Sequence, residues 1–159
     1  MFTDVHLSDA QGILLDQVNL LPKESIGVSD SLGRVVAQKL VAPNNFPPVA
    51  QAAVDGFALH EEDLQASSPI NIKKYLQFGQ VASLPLKNGE AIGVLTGVPV
   101  PIGTAAVVPS ELVKLEKETL SLPFPIRPNL NIKQPGEDIK QGELLALPGK
   151  IITAGMISA

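Results

Sequence analysis

The sequence predicts an α+β fold that is rich in β-strands, with short helical pieces near its start. Three observations support this prediction. The 159 residues include 14 prolines and 13 glycines, which favour turns over long helices. Hydrophobic residues make up 45% and charged residues 18%, as in a globular rather than a disordered protein. Residues 43–133 carry many short segments of strand character between turns, a pattern typical of a small barrel or sandwich.

The predicted helices lie towards the two ends of the chain. Ser8 and Gln11 have the spacing of a capping box, and the apolar pattern that follows predicts a helix over residues 8–19. A second short helix is predicted over residues 29–36. Thr153 could cap a third, but only six residues follow it, and a helix of that length is marginal in water. We therefore interpret this end as a truncation.

The central part of the chain is predicted to form strands. Five segments are apolar or alternate between apolar and polar residues, and they are bounded by turns: 54–59, 70–78, 91–96, 112–115 and 120–122. The last two flank the charged stretch 116–119 and predict a hairpin. Residues 60–64 predict a polar helical turn, and residues 144–147 a further extended piece.

Charge and composition exclude several classes of function. The net charge of −4 argues against a nucleic-acid-binding protein, and the absence of cysteine excludes disulfides, iron–sulfur clusters and a thiol nucleophile. His6 and His60 stand alone, so no zinc site is expected. The first residues do not form a secretory signal, and no apolar run could span a membrane. A cytoplasmic protein without nucleic-acid or membrane partners is expected.

Four segments, taken in order, resemble one protein family. They read D-S-L-G-R-V at 30–35, P-P-V-A-Q-A-A-V-D-G-F-A at 47–58, T-G-V-P-V-P with a following G and A-V-V at 96–108, and G-E-D-I at 136–139. Each segment is weak alone, but four in register over most of the chain are specific. The sequence is similar to the N-terminal region, domains I and II, of MoeA-type molybdopterin molybdenumtransferases, the gephyrin E-domain family.

The resemblance implies both an architecture and an activity. It implies an elongated first domain, formed by residues 1–43 and 134–159, with a small β-barrel-like domain at 44–133 inserted into it. The family forms homodimers, and its cleft lies between this barrel and the molybdopterin domain of the other subunit, which these residues do not include. The implied reaction inserts molybdate into adenylylated molybdopterin with Mg²⁺ and releases AMP. The chain alone is expected to be inactive.

The resemblance also implies the residues of the site. The expected catalytic residues are Asp55, Thr96 and Asp138, and the expected cofactor-binding residues are Gly56, Gly97, Lys133 and Glu137. Asp55 is expected to hold Mg²⁺ through a water, because a carboxylate does not bind the molybdate anion directly. The Thr96 hydroxyl could donate to an oxyanion beside Gly97. Lys133 supplies a point charge where the family usually has an arginine.

Each of these residues also has a structural interpretation. From the residues alone, Asp55 is a turn aspartate and Thr96 a threonine at the end of a strand. Glu137 and Asp138 would form a turn or a helix cap, and Lys133 would be a solvated surface charge. Both interpretations are open at this stage.

Five positions depart from the family pattern. Ala50, Gln51 and Ala52 stand where the family has an aspartate, an asparagine and a serine, and Ile102 and Ala105 replace acidic residues. Each change could leave a polar contact unmade, at about 1–3 kcal/mol. These losses support an alternative hypothesis, a non-catalytic dimerisation or partner-binding module derived from the family.

Overall fold

The computed structural model of the protein describes residues 4–158. Within that range the chain forms two compact units. The split unit consists of the residues up to Lys39 and from Ala146 onward, and the central unit is Leu40–Leu145. The domain limits implied by the resemblance, at residues 43–44 and 133–134, stay a prediction.

The split unit begins with helix α1, Leu7–Asp16, which is shorter than the predicted 8–19. The predicted capping box is wrong. His6 is the N-cap residue, no side chain caps the helix, and Ser8 lies inside the first turn. Helix α2, Ala154–Ser158, follows Thr153, whose Oγ1 accepts a hydrogen bond from the Met156 amide at 3.3 Å as expected for a cap.

The second predicted helix is also wrong. A single 3-10 turn, Val28–Asp30, is followed by an extended segment that pairs with residues 149–152. The Gly33 amide donates to the Ile152 carbonyl at 2.9 Å, and the Val36 amide donates to the Lys150 carbonyl at 2.8 Å. Gly33 has a φ of +77°, which ends any local helix.

The central unit is built on a six-stranded sheet that curls into a half-barrel, which confirms the predicted β-rich fold. The strands of the structure are β1 Leu40–Val41, β2 Gln51–Ala52, β3 Gly56–His60, β4 Ile70–Tyr75, β5 Glu90–Val94, β6 Thr104–Pro109, β7 Lys114–Glu116, β8 Thr119–Ser121, β9 Ile132–Lys133 and β10 Leu144–Ala146. The large sheet has the order β6-β3-β5-β4-β8-β7, with β4 and β5 parallel. Two smaller sheets pair β1 with β10 and β2 with β9.

The middle of the large sheet is buried on both faces. Phe57 and Leu59 pack into one apolar cluster, whereas Ala58 between them packs into another. The same alternation continues through β5 and β6, because successive side chains of a strand point to opposite faces. These strands therefore form a rigid platform that positions the loops at their ends.

Two local predictions about this unit are confirmed. The hairpin forms between β7 and β8, with Leu115 opposite Leu120, and the polar helical turn is the 3-10 turn Glu61–Asp63. Asp63 is 4% exposed, and both carboxylate oxygens accept from the Gly89 amide, at 3.0 and 2.9 Å. This bond holds the turn that leads into β5.

The predicted strand 70–78 ends earlier than expected. Strand β4 stops at Tyr75, and Leu76 is buried next to it. The alternating pattern of residues 70–78 puts Phe78 on the same face as Ile70, but Ile70 is buried and Phe78 is 70% exposed. The chain has left the sheet before this residue, so the alternating pattern no longer decides which side chain is buried.

Candidate functional site

Asp55 and Thr96 are in direct contact at one end of the large sheet. Asp55 directly precedes β3 and Thr96 follows β5, and the two strands pair with Gly56 opposite Val94. Oδ1 of Asp55 accepts from the Thr96 amide at 2.7 Å and from the Thr96 hydroxyl at 2.8 Å. The sheet register therefore brings together two residues that are 41 positions apart in the sequence.

These two bonds control the charge of Asp55. The amide of Thr96 first, and its hydroxyl second, lower the pKa of the Asp55 carboxyl from its ordinary value of 3.8. The side chain is exposed, so burial does little to oppose this effect. Asp55 is therefore a fixed and ionised carboxylate at neutral pH.

The same bonds limit what Thr96 can donate. Its hydroxyl has a single proton, and that proton is directed to Asp55. The hydroxyl oxygen can still accept a hydrogen bond from a ligand. Among residues 4–158, no hydrogen bond is made to Oδ2 of Asp55, so this oxygen faces a possible ligand. The geometry makes Thr96 the positioning partner of Asp55.

The residues before Asp55 lie between Gly97 and Lys133, two residues that the resemblance implies for the site. On one side, the Gly97 amide donates to the Ala52 carbonyl at 2.8 Å, and Gly97 has a φ of +82°. On the other side, β2 pairs with β9, with Gln51 opposite Lys133. Two of the four resembling segments, 47–58 and 96–108, therefore meet beside Asp55, and Lys133 lies opposite the first of them.

Three of the five departures from the family pattern, Ala50, Gln51 and Ala52, fall within this junction, whereas Ile102 and Ala105 lie near the other end of β3, where Leu59 pairs with Ala106. Ala50 and Ala52 make hydrogen bonds here through backbone atoms, including a 3.0 Å bond from the Val100 amide to the Ala50 carbonyl, and the Ala52 side chain is buried in an apolar cluster. Backbone bonds of this kind do not depend on the side chain. The replacements therefore change the polar groups that the junction offers while the local fold is kept.

The second acidic pair is held by its own neighbours. Nζ of Lys133 lies 2.5 Å from Oδ2 of Asp138, and both side chains are more than one third exposed. Oε2 of Glu137 accepts from the Gln134 amide at 2.8 Å and closes a local turn. The turn interpretation of Glu137 thus has direct geometric support, and Lys133 is a paired charge.

Gly56 has a packing reason to be glycine. It is buried in β3, and a Cβ at this position would lie 2.1 Å from the Val108 carbonyl oxygen of β6. At this position, strands β3 and β6 therefore lie too close together to leave room for a side chain. Its expected contact with a cofactor stays a prediction.

The donor groups can be tested against Mg²⁺. Among the described residues, no group of three or more His, Cys, Asp or Glu side chains could hold a metal ion. Asp55 offers one carboxylate beside Thr96. Mg²⁺ commonly keeps several waters and binds one or two carboxylates together with substrate phosphates. The residues present fit a hydrated ion that a substrate holds in part, and they do not fit a closed protein site.

One neighbour of this junction was missed from the sequence. Cε1 of Phe78 lies 4.0 Å from the position that a Cβ on Gly97 would occupy. The alternating pattern, continued past Tyr75, puts Phe78 on the buried face of a strand, but the strand ends at Tyr75. The Gly79 that follows Phe78, with a φ of +79°, is the sequence feature that could have indicated a turn here.

None of the helices in the part of the chain described here is long and apolar enough to cross a membrane.

Comparisons with known proteins agree with this architecture. A family model described as the MoeA N-terminal region (domain I and II) matches residues 5–159. A molybdopterin molybdenumtransferase of Synechococcus elongatus is 32% identical over 92% of this chain and 38% of its own length. One from Staphylococcus epidermidis is 30% identical over 98% of this chain and 38% of its own length. A crystal structure of a molybdopterin biosynthesis moeA protein from Pyrococcus horikoshii aligns with a TM-score of 0.83 and 33% identity, over 95% of this chain and 41% of that one.

The fold and the order of its segments thus match the N-terminal region of MoeA proteins. The chain belongs to the MoeA N-terminal region family. It spans about two fifths of the length of the relatives it matches.

Proposed function

We propose that this chain supplies the Asp55 side of the active cleft of a molybdopterin molybdenumtransferase. In this proposal the complete enzyme inserts molybdate into adenylylated molybdopterin and releases AMP, and the 159 residues alone are inactive. The observation that carries the proposal is the ionised, exposed Asp55, which two bonds from Thr96 hold in place. It lies where the family segments 47–58 and 96–108 meet.

The role of Asp55 follows from its charge. A carboxylate repels molybdate and phosphate, so it acts through a cation or a water between them. Oδ1 is occupied by Thr96, so Oδ2 orients that cation or water. Mg²⁺, when bound, would supply the positive charge that offsets the phosphate oxygens. Thr96 keeps the carboxylate both ionised and correctly oriented.

Lys133 is proposed to bind an anionic part of the substrate. It is paired with Asp138 at 2.5 Å, but both side chains are partly exposed. An ion pair of this kind contributes about 0–1 kcal/mol, so exchanging Asp138 for a substrate oxygen costs little. Gly97, which has no side chain, is proposed to let a ligand approach the backbone. Glu137 and Asp138 are proposed to limit the positive charge around Lys133.

The test uses a chimera, in which this chain is joined to the part of the enzyme that its relatives contain beyond the matched region. Residues 1–159 replace the matching region of the Synechococcus elongatus relative, and AMP release is measured with adenylylated molybdopterin and molybdate. Asp55→Asn keeps an oxygen for both Thr96 donors but removes the charge. We expect AMP release to fall to background with an unchanged melting temperature.

The matched control removes a charge far from the junction. Glu118→Gln lies in the exposed β7–β8 hairpin turn and should leave AMP release unchanged. Full activity of Asp55→Asn would contradict the proposed role of Asp55. A chimera that folds, binds substrate and releases no AMP would favour the binding-module hypothesis.

The binding-module hypothesis has support from helix α1. No residue of α1 is buried, and Leu7, Leu14 and Leu15 are 76%, 67% and 71% exposed. We propose that this face forms the homodimer contact, both in the transferase and in the binding module. The protein is proposed to be cytoplasmic. Sedimentation of the chain, compared with a Leu14→Glu, Leu15→Glu variant, tests the homodimer contact. A wild-type monomer at 100-fold the concentration used for activity would contradict it.

A further inference from the structure

The turn before β5 contains the only asparagine–glycine pair of the sequence, Asn88–Gly89. Asn88 is exposed, and Gly89 has a φ of +77°. In such a pair the backbone nitrogen of the glycine can attack the side-chain carbonyl carbon of the asparagine, because glycine has no side chain that obstructs ring closure. Asn88 therefore has the sequence context in which an asparagine loses ammonia most readily.

The reaction at this pair proceeds through a cyclic imide. The Gly89 nitrogen gives up its proton and forms a bond to Cγ of Asn88, the bond from Cγ to Nδ2 breaks, and Nδ2 leaves as ammonia with that proton. Water then opens the imide on either side, which leaves aspartate or isoaspartate at position 88. Both steps need only solvent, so the state of the Gly89 amide decides whether the reaction starts.

The fold opposes the first step at the Gly89 amide. This amide donates to both carboxylate oxygens of Asp63, at 3.0 and 2.9 Å, and Asp63 is 4% exposed. Removing the amide proton would create a second negative charge beside a buried carboxylate, which is electrostatically unfavourable. The Gly89 carbonyl accepts from the Asn71 amide at 3.0 Å. The Glu90 amide donates to the Lys87 carbonyl at 3.1 Å, so the peptide unit on the other side of Gly89 is fixed as well.

We propose that Asn88 is a deamidation site that the fold keeps unreactive, and that the buried Asp63 carboxylate is the group that protects it. The protection lasts as long as the bond between Asp63 and Gly89, so modification follows local opening of this turn. Isoaspartate adds a carbon atom to the backbone, so a modified chain does not rebuild the same turn. Deamidation at position 88 therefore records that the turn has opened.

The test follows Asn88 in the 159-residue chain by peptide mass spectrometry, at mildly alkaline pH and well below the melting temperature. We expect the folded wild type to react much more slowly than the same chain unfolded in guanidinium chloride. Asp63→Ala should raise the rate in the folded chain by about 10- to 150-fold, which corresponds to the loss of a hydrogen bond to a charged group. Asp63→Asn keeps an oxygen acceptor without the charge, so it should give an intermediate rate, and it replaces Asp63→Ala if that variant does not fold.

Two controls separate this bond from general stability. Glu62→Ala removes the exposed neighbour of Asp63 and should leave the rate unchanged. Gly56→Ala disturbs the same unit at the opposite end of β5, where Gly56 pairs with Val94, and should change the rate far less than Asp63→Ala.

Three results would overturn the inference. The first is an equal rate in the folded and the unfolded wild type, because the fold then gives no protection. The second is equal acceleration by Gly56→Ala and Asp63→Ala, because the reaction then starts from the globally unfolded chain. The third is an unchanged or slower reaction in the folded Asp63 variants, because the carboxylate then has no protective role or acts as the base that removes the amide proton.

Discussion

Gly56→Ala tests whether strand packing or ligand binding requires glycine at this position. The new Cβ would lie 2.1 Å from the Val108 carbonyl oxygen and 3.1 Å from the Pro109 Cα, both of them backbone atoms that no rotamer change can move. An ordinary contact starts near 3.4 Å, so strands β3 and β6 must separate by about 1.3 Å. This separation occurs at the pair that Gly56 forms with Pro109, next to the part of the sheet that is buried on both faces.

The expected cost follows from two effects. Overpacking a well-packed core costs about 1–3 kcal/mol, and weakening one sheet hydrogen bond adds about 0.5–1.5 kcal/mol. A total of about 2–4 kcal/mol lowers the melting temperature of a unit of this size by roughly 8–16 °C. Binding chemistry alone would produce no such loss.

The assay uses the single tyrosine of the chain, which has no tryptophan. Tyr75 lies in β4, so its near-ultraviolet circular dichroism reports melting of the central unit. Gly12→Ala is the control, because nothing lies within 4 Å of a Cβ there, and alanine favours helix α1. If Gly56→Ala melted within about 2 °C of wild type but lost a ligand, the packing argument would be refuted.

Three further predictions concern the same unit. Thr96→Val removes the hydroxyl but keeps the amide, so the pKa of Asp55 should rise part of the way towards 3.8 in an NMR titration. A lowered folded-state pKa gives stability that is present above the ordinary pKa and lost as pH falls through the folded value, so in the variant this loss should be smaller and complete at a higher pH. Gly93→Ala places a Cβ 2.1 Å from the Tyr75 ring and should cost about 1–3 kcal/mol, with a changed tyrosine circular dichroism. Asp63→Ala removes a buried charged acceptor and should cost about 1.5–3 kcal/mol in urea unfolding.

Each of these three has a result that would contradict it. An unchanged Asp55 pKa in Thr96→Val would mean that the hydroxyl bond does not form in solution. An unchanged tyrosine spectrum in Gly93→Ala would mean that the ring does not cover Gly93. Asp63→Ala should be compared with Glu62→Ala, since Glu62 is the exposed neighbour, and equal stability of the two would contradict the role of the buried carboxylate.

Elements that depend on local residues could be predicted from the sequence. The β7–β8 hairpin forms across a short charged turn, and Thr153 caps α2, because in both cases the partners are only a few residues apart. The helix predicted over residues 29–36 failed because Gly33 and its neighbours pair with residues more than a hundred positions later. The spacing of apolar residues carries no information about hydrogen-bond partners that are so distant in the sequence.

In the candidate site, too, single residues could be predicted from the sequence, but contacts that depend on the fold could not. The resemblance indicated Asp55 and Thr96 separately, but only the pairing of β3 with β5 brings them into contact. Likewise, the residue pattern could not show that Lys133 is already paired with Asp138, since that bond depends on how the turn after β9 folds back towards Lys133. Phe78 was missed because a turn at Gly79 ends the strand pattern.

The interruption of the split unit by the central unit determines the order in which the chain can fold during synthesis. Residues 40–145 leave the ribosome before residues 146–158, so the large sheet can be complete while Gly33 and Val36 still lack their partners. The extended segment around Val35 must then wait for Ile151 to be made. Slowing translation after residue 145 should therefore prolong the exposure of that segment without delaying the sheet that carries Asp55.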